Sequence, residues 1–90
     1  MRSILLVALS LAALPAAAQS VKGGSCQELW LARNAIYREA GYCFRTPRAI
    51  STFGNAGCRH DSVATLPMTP WQRGRVAEIG AQERALGCAG

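Results

Sequence analysis

SCQELWLARNAIYREAGYCF, residues 25–44, is the stretch that decides how this chain folds. Ser25 is a good N-cap and Glu28 stands three residues on, the spacing of a capping box in which each side chain satisfies the other residue's backbone N–H. Cys26, Leu29, Trp30, Ile36, Tyr37 and Ala40 then recur at three- and four-residue steps, which predicts an amphipathic helix. Gly41 is placed to end it, because the left-handed residue after a last turn is least strained without a Cβ. At about 3.6 residues per turn, Arg33 falls inside the apolar stripe, where an unpaired charge costs several kcal/mol.

Upstream, Met1-Arg2-Ser3 is a short basic start, Ile4 to Leu14 is apolar apart from Ser10, and Ala16-Ala17-Ala18 fits a small-residue cleavage site. At about 1.5 Å per residue that run is too short for a hydrocarbon core of about 30 Å. The pattern predicts a secretory signal peptide over residues 1–18 and no transmembrane segment in the mature chain. A retained anchor helix is the competing reading; a lipoprotein is disfavoured, because Cys26 lies well past the apolar run. Residues 19–24, QSVKGG, predict a disordered mature N-terminus. Residues 25–90 are left as one domain, with export to the periplasm or beyond.

Removing the leader leaves nine basic against five acidic side chains, a net +4. A core this small supplies only ~3–5 kcal/mol. The four cysteines, Cys26, Cys43, Cys58 and Cys88, all lie in the exported part. In an oxidising compartment they imply two disulfides, each contributing ~2–4 kcal/mol. Spacings of 17, 15 and 30 residues contain no Cys-x-x-Cys pair, which argues against a zinc site.

Thr46-Pro47 predicts a short helix carrying Ala49, Ile50 and Phe53. Residues 54–57, GNAG, form a turn into Cys58, and Arg59 to Pro67 has no convincing period and reads as loop. Thr69, Pro70 and Gln72 supply cap, first residue and box of a second long helix. It runs to Leu86, ends at Gly87 and carries Val76, Ile79 and Leu86 on its buried stripe, with Glu83 inside that stripe. Gly74 and Gly80 weaken this helix and suggest close backbone approach.

If Cys26 and Cys43 flank a helix of about fourteen residues they stand roughly 20 Å apart, too far for the roughly 7 Å limit of a disulfide. Of the two remaining pairings, antiparallel helices favour Cys26–Cys88 with Cys43–Cys58. In that arrangement Arg33 and Glu83 differ in height by only about 3 Å. They either form an ion pair at the helix seam or both reach to solvent, and the sequence leaves both open. The predicted fold is mainly α: a small disulfide-stabilised domain with two antiparallel helices and a short, loop-rich middle segment.

No catalytic constellation emerges. His60, Asp61 and Ser62 are neighbours in sequence, and adjacent side chains rarely orient one another as a nucleophile and its base require. An exposed polar loop is the expectation there. Glu28 is used in capping and Glu83 in the proposed pair, while Glu39 and Glu78 fit solvated helix faces. Nothing places two carboxylates across a cleft. No metal site or cofactor is expected. Arg45, Arg48 and Arg59 gather in the middle segment and suit an anionic partner, or serve as ordinary solubility charge. Nucleic acid is not an expected partner of an exported chain.

Leu29-Trp30, Arg33-Asn34, Ile36-Tyr37 and Gly41-Tyr42 followed by Phe44 resemble the YARHG domain of bacterial exported proteins. Gly41-Tyr42-Cys43-Phe44, Asn55 to Cys58 and Gly87-Cys88 resemble the layout of its small secreted members. The resemblance implies a periplasmic or extracellular place and an enzymatic or peptidoglycan-binding role. At residues 37–41, YREAG, the name-giving motif's histidine is replaced by Ala40. An activity resting on that imidazole is therefore disfavoured. The expected function is a non-catalytic binding module of the cell envelope, for peptidoglycan or another anionic component, with Arg33, Asn34, Tyr37 and Tyr42 as candidate contacts. A small basic secreted inhibitor or effector that binds another protein is the alternative, and an envelope hydrolase the third.

Overall fold

The computed structural model describes residues 24–89. The expected signal peptide lies outside them, as does the expected disordered N-terminus except Gly24, which is buried. Among the described residues there are three α-helices and no strand: α1 (Cys26–Glu39), α2 (Pro47–Phe53) and α3 (Pro70–Leu86), with a 3-10 turn at Val63–Thr65.

The caps are built as their sequences dictate. Ser25 Oγ accepts from Glu28 N–H at 3.1 Å and Glu28 Oε1 accepts from Ser25 N–H at 3.0 Å. Thr69 and Gln72 repeat the arrangement at the start of α3, at 3.0 and 2.9 Å. Thr46 Oγ1 accepts from Ala49 N–H to open α2 behind Pro47. Gly87, left-handed at φ 73°, turns the chain so that Cys88 N–H reaches back to Glu83 C=O at 2.9 Å.

Helices α1 and α3 pack antiparallel, and three cross-links at successive heights fix the direction. Cys26 is bonded to Cys88 with Cα atoms 5.5 Å apart. Arg33 pairs with Glu83, and Gln72 Nε2 reaches Glu39 Oε1 at 3.4 Å near the far end. Leu29 and Ile79 are fully buried. Trp30, Tyr37, Phe44, Ala49 and Leu66 form the main core, with Phe53, Val63, Met68 and Val76 packed on it.

The middle segment closes against α1. The second disulfide, Cys43–Cys58, brings two Cα atoms within 5.1 Å. Beside it Tyr42 and His60 form a parallel bridge in which His60 N–H donates to Gly41 C=O at 3.0 Å and Cys43 N–H to His60 C=O at 2.7 Å. Residues 59–67, expected as plain loop, therefore hold a bridge, a 3-10 turn and the buried Leu66. Val63 and Leu66 anchor this segment singly, a spacing too short to show as periodicity.

Three further expectations change. Leu86 is 56% exposed, because the α1 turn near the Cys26–Cys88 bridge (Cys26, Gln27, Glu28) is itself exposed and offers no apolar surface. Gly74 has open space where a Cβ would stand, and a Cβ on Gly80 would meet only Arg84 of its own helix, at 3.5 Å. Neither glycine marks a backbone contact between helices.

Candidate functional site

Helical spacing sets the site. Trp30, Asn34 and Tyr37 lie at i, i+4 and i+7 on α1 and share one face. Tyr42 and Phe44 follow in the disulfide-held segment, and Ala49 comes from α2. Together with Arg33, Arg45, Thr46 and Val63 they line a cavity of about 200 Å³. The four sequence-predicted contacts, Arg33, Asn34, Tyr37 and Tyr42, all line it.

Its four lining aromatics, Trp30, Tyr37, Tyr42 and Phe44, belong to an arc of five rings that Phe53 completes from outside the lining. Trp30 stands 5.9 Å from Phe53, Phe53 stacks on Phe44 at 5.3 Å, Phe44 meets Tyr42 edge-on at 5.1 Å, and Tyr42 meets Tyr37 at 5.9 Å. These separations suit the offset and edge-to-face contacts that aromatic quadrupoles favour. The arc begins and ends on α1, with Asn34 between its two ends.

Asn34 is 7% exposed. Its Nδ2 donates to Trp30 C=O at 3.0 Å, which orients the carboxamide. No described residue donates to its Oδ1.

Arg33 forms the wall between this cavity and a more open groove of about 570 Å³ along α1 and α3. Its Nε and Nη2 donate to the two Glu83 carboxylate oxygens at 2.7 and 3.0 Å, a bidentate pair. The bond to Glu83 raises the Arg33 pKa, burial opposes it, and the neighbouring Tyr37, whose ring centroid is 5.9 Å away, adds to the rise. Because the shift is upward, its stabilisation is complete below the unfolded pKa and lost only as pH rises through the folded value, far on the alkaline side. Arg33 thus serves the helix seam and the position of Tyr37 before any ligand. The groove beyond it has its buried charge already paired, so the smaller aromatic cavity is the better candidate site.

Asn55 holds Phe44 in place. Its Oδ1 accepts from Phe44 N–H at 2.7 Å and its Nδ2 donates to Phe44 C=O at 3.0 Å, a side chain standing in for a neighbouring strand. Sequence reasoning took Asn55 as a turn residue and missed this clamp. Phe44, Arg45 and Thr46 were also missed as cavity residues. Only their closeness to Tyr42 pointed to them.

The basic residues separate. Arg45 Nη2 donates to Asp61 C=O at 3.0 Å at the cavity rim. Arg48 lies over the Trp30 ring, 3.8 Å from its centroid, and bonds Gln27. Arg38 donates to Phe53 C=O, and Arg59 is exposed. Of the middle-segment arginines, Arg48 therefore braces the aromatic arc, at Trp30, while Arg38 of α1 braces it at Phe53.

His60 is half-buried rather than exposed, with its imidazole packed on Gly41, whose φ is +95°. A Cβ at Gly41 would lie 3.3 Å from the ring. No hydrogen bond joins the side chains of His60, Asp61 and Ser62 among the described residues, so they do not form a nucleophile–base relay. Among the described residues no three metal-ligating side chains come together, and every cysteine is in a disulfide. No described helix is long and apolar enough to cross a membrane.

No curated protein and no solved structure matches the chain. One family model does, the YARHG domain, a small extracellular-type domain, over residues 2–84. That match spans nearly the whole sequence and contains α1, the aromatic arc and all but the last two residues of α3: the chain belongs to the YARHG domain family.

Proposed function

We propose that this protein is an exported, non-catalytic binding module of the cell envelope, and that the aromatic cavity takes a group of peptidoglycan. One observation carries the proposal: Arg33, Asn34, Tyr37 and Tyr42 line a single cavity whose lining combines four aromatic rings with a buried amide. Ligand sites commonly combine apolar walls with few, well-placed polar groups. A domain of extracellular type, fastened by two disulfides, supports a place outside the cytoplasm.

The test is co-sedimentation of the oxidised mature protein with purified peptidoglycan. Retention is expected, and Tyr42→Ala, which removes half of an edge-on wall from a half-buried position, lowers it about tenfold. A wild-type protein that stays wholly in the supernatant sinks the proposal.

A second reading, a basic inhibitor or effector acting on another protein, rests on α3. Trp71 is 67% exposed, with Arg75 at 5.9 Å from its ring centroid. Exposed tryptophan beside arginine suits the centre of a protein interface. This reading predicts a stoichiometric crosslinked partner in envelope extracts that Trp71→Ala abolishes.

A further inference from the structure

We infer that the aromatic cavity recognises an acetamido group, a small secondary amide whose N–H is donated to Asn34 Oδ1. The inference rests on the binding role proposed above and names the chemistry that fills the site.

Four features of the cavity lead to it. The first is the acceptor. Asn34 spends one N–H on Trp30 C=O, is over nine-tenths buried, and has an Oδ1 to which no described residue donates. Buried polar atoms are nearly always paired, by protein, water or ligand, so this oxygen asks for an N–H or O–H from whatever enters. The second is the wall beside it: Trp30, Tyr37, Tyr42 and Phe44 favour an apolar group next to that donor. The third is charge. The cavity is lined by two arginines and no carboxylate. Glu83 neutralises Arg33, so a protonated amine would face Arg45 with no free carboxylate at the lining to hold it, whereas a neutral amide N–H needs no counter-ion. Arg45 and Thr46 at the lining supply donors for the amide carbonyl. The fourth is size. At about 200 Å³ the cavity falls below the roughly 300–1,000 Å³ of sites for whole drug-sized ligands, so it takes one substituent of a larger molecule. Donor, short apolar group and acceptor in so small a space describe an acetamido substituent, carried either by an amino sugar or by an acylated peptide.

The experiment is a heteronuclear NMR titration of the oxidised protein with three probes: the tetramer of N-acetylglucosamine, the same tetramer fully de-N-acetylated, and N-acetylglycinamide. The acetylated tetramer is expected to shift the Asn34 side-chain amide and the Trp30 indole, and to bind at least tenfold more tightly than the deacetylated one. Shifts with the tetramer but not with N-acetylglycinamide support the inference with a sugar source, and the reverse supports it with a peptide source. Asn34→Leu removes the acceptor and abolishes the preference for acetylation; should it not fold, the wild-type shifts decide.

Equal binding of both tetramers overturns the inference, as do shifts confined to the groove between α1 and α3. Absence of shifts with every probe also overturns it and leaves a bound water as the partner of Asn34. The binding role fails separately. Peptidoglycan that retains the protein after chemical de-N-acetylation refutes the acetamido group alone. Acetamide shifts at Asn34 without retention on peptidoglycan refute the envelope ligand alone.

Discussion

Two asparagines do different work in one small volume. Asn34 holds a buried amide at the cavity lining, between the α1 ends of the aromatic arc, and Asn55 fixes the backbone of Phe44 in the arc. Asn55→Ala takes away both partners of the Phe44 peptide groups in a half-buried place. A loss of about 2 kcal/mol is expected, seen as a drop in Tm on the order of 10 °C. An unchanged Tm would mean that solvent replaces the clamp at no cost. Asn34 could be singled out in the sequence because a polar residue among Trp30, Arg33 and Tyr37 had no structural explanation. Asn55 could not. Its role depends on a fold-back of eleven residues to Phe44, and an Asn between glycines looks like any turn.

Among the elements, the α1–α3 pair was the most legible. Ser25, Glu28, Thr69 and Gln72 are local signals, each acting within one turn, so they could be read without knowledge of the fold. Helix length excludes Cys26–Cys43 and an antiparallel packing favours Cys26–Cys88, but only the structure decides between an Arg33–Glu83 pair and two side chains reaching to solvent. The buried stripe of α3 was less legible, because burial of Leu86 depends on what the opposing turn offers. Arg33→Glu or Glu83→Arg alone leaves two like charges at a half-dry seam and should cost roughly 3 kcal/mol, the low end for breaking a buried pair. The double reversal should recover more than half of that in urea unfolding. Purely additive losses would show that the two side chains do not depend on each other. Gly74 is exposed with open space around it, so Gly74→Ala should raise stability by about 0.5–1 kcal/mol through helix propensity alone. A lower Tm in thermal unfolding would refute that.

At the level of the molecule, a small core is held by two covalent loops of different reach. Cys43–Cys58 spans 15 residues and Cys26–Cys88 spans 62. Loop-closure entropy gives them roughly 3 and 4 kcal/mol. The shorter loop holds Tyr42 and Phe44 in the cavity wall; the longer one ties the start of α1 to the end of α3. The segment between Cys58 and α3 was the least legible part. Its contribution comes from single residues, His60 against Gly41 and Leu66 in the core, which carry no repeating pattern.

The Cys26–Cys88 bridge also makes the domain a mechanical short circuit. Tension applied at Gly24 and Ala89 enters and leaves across one covalent link whose Cα atoms are 5.5 Å apart. The load never reaches the helices, the aromatic arc or the Arg33–Glu83 pair. Pulled from these points in an optical trap, the oxidised protein should give no unfolding step. Reduction should release a step of roughly 200 Å, the contour of the 62-residue loop at about 3.5 Å per residue. A step of that size before reduction would rule the short circuit out. A domain wired in this way keeps its aromatic cavity intact under tension that would unravel an unbridged helical fold of the same size.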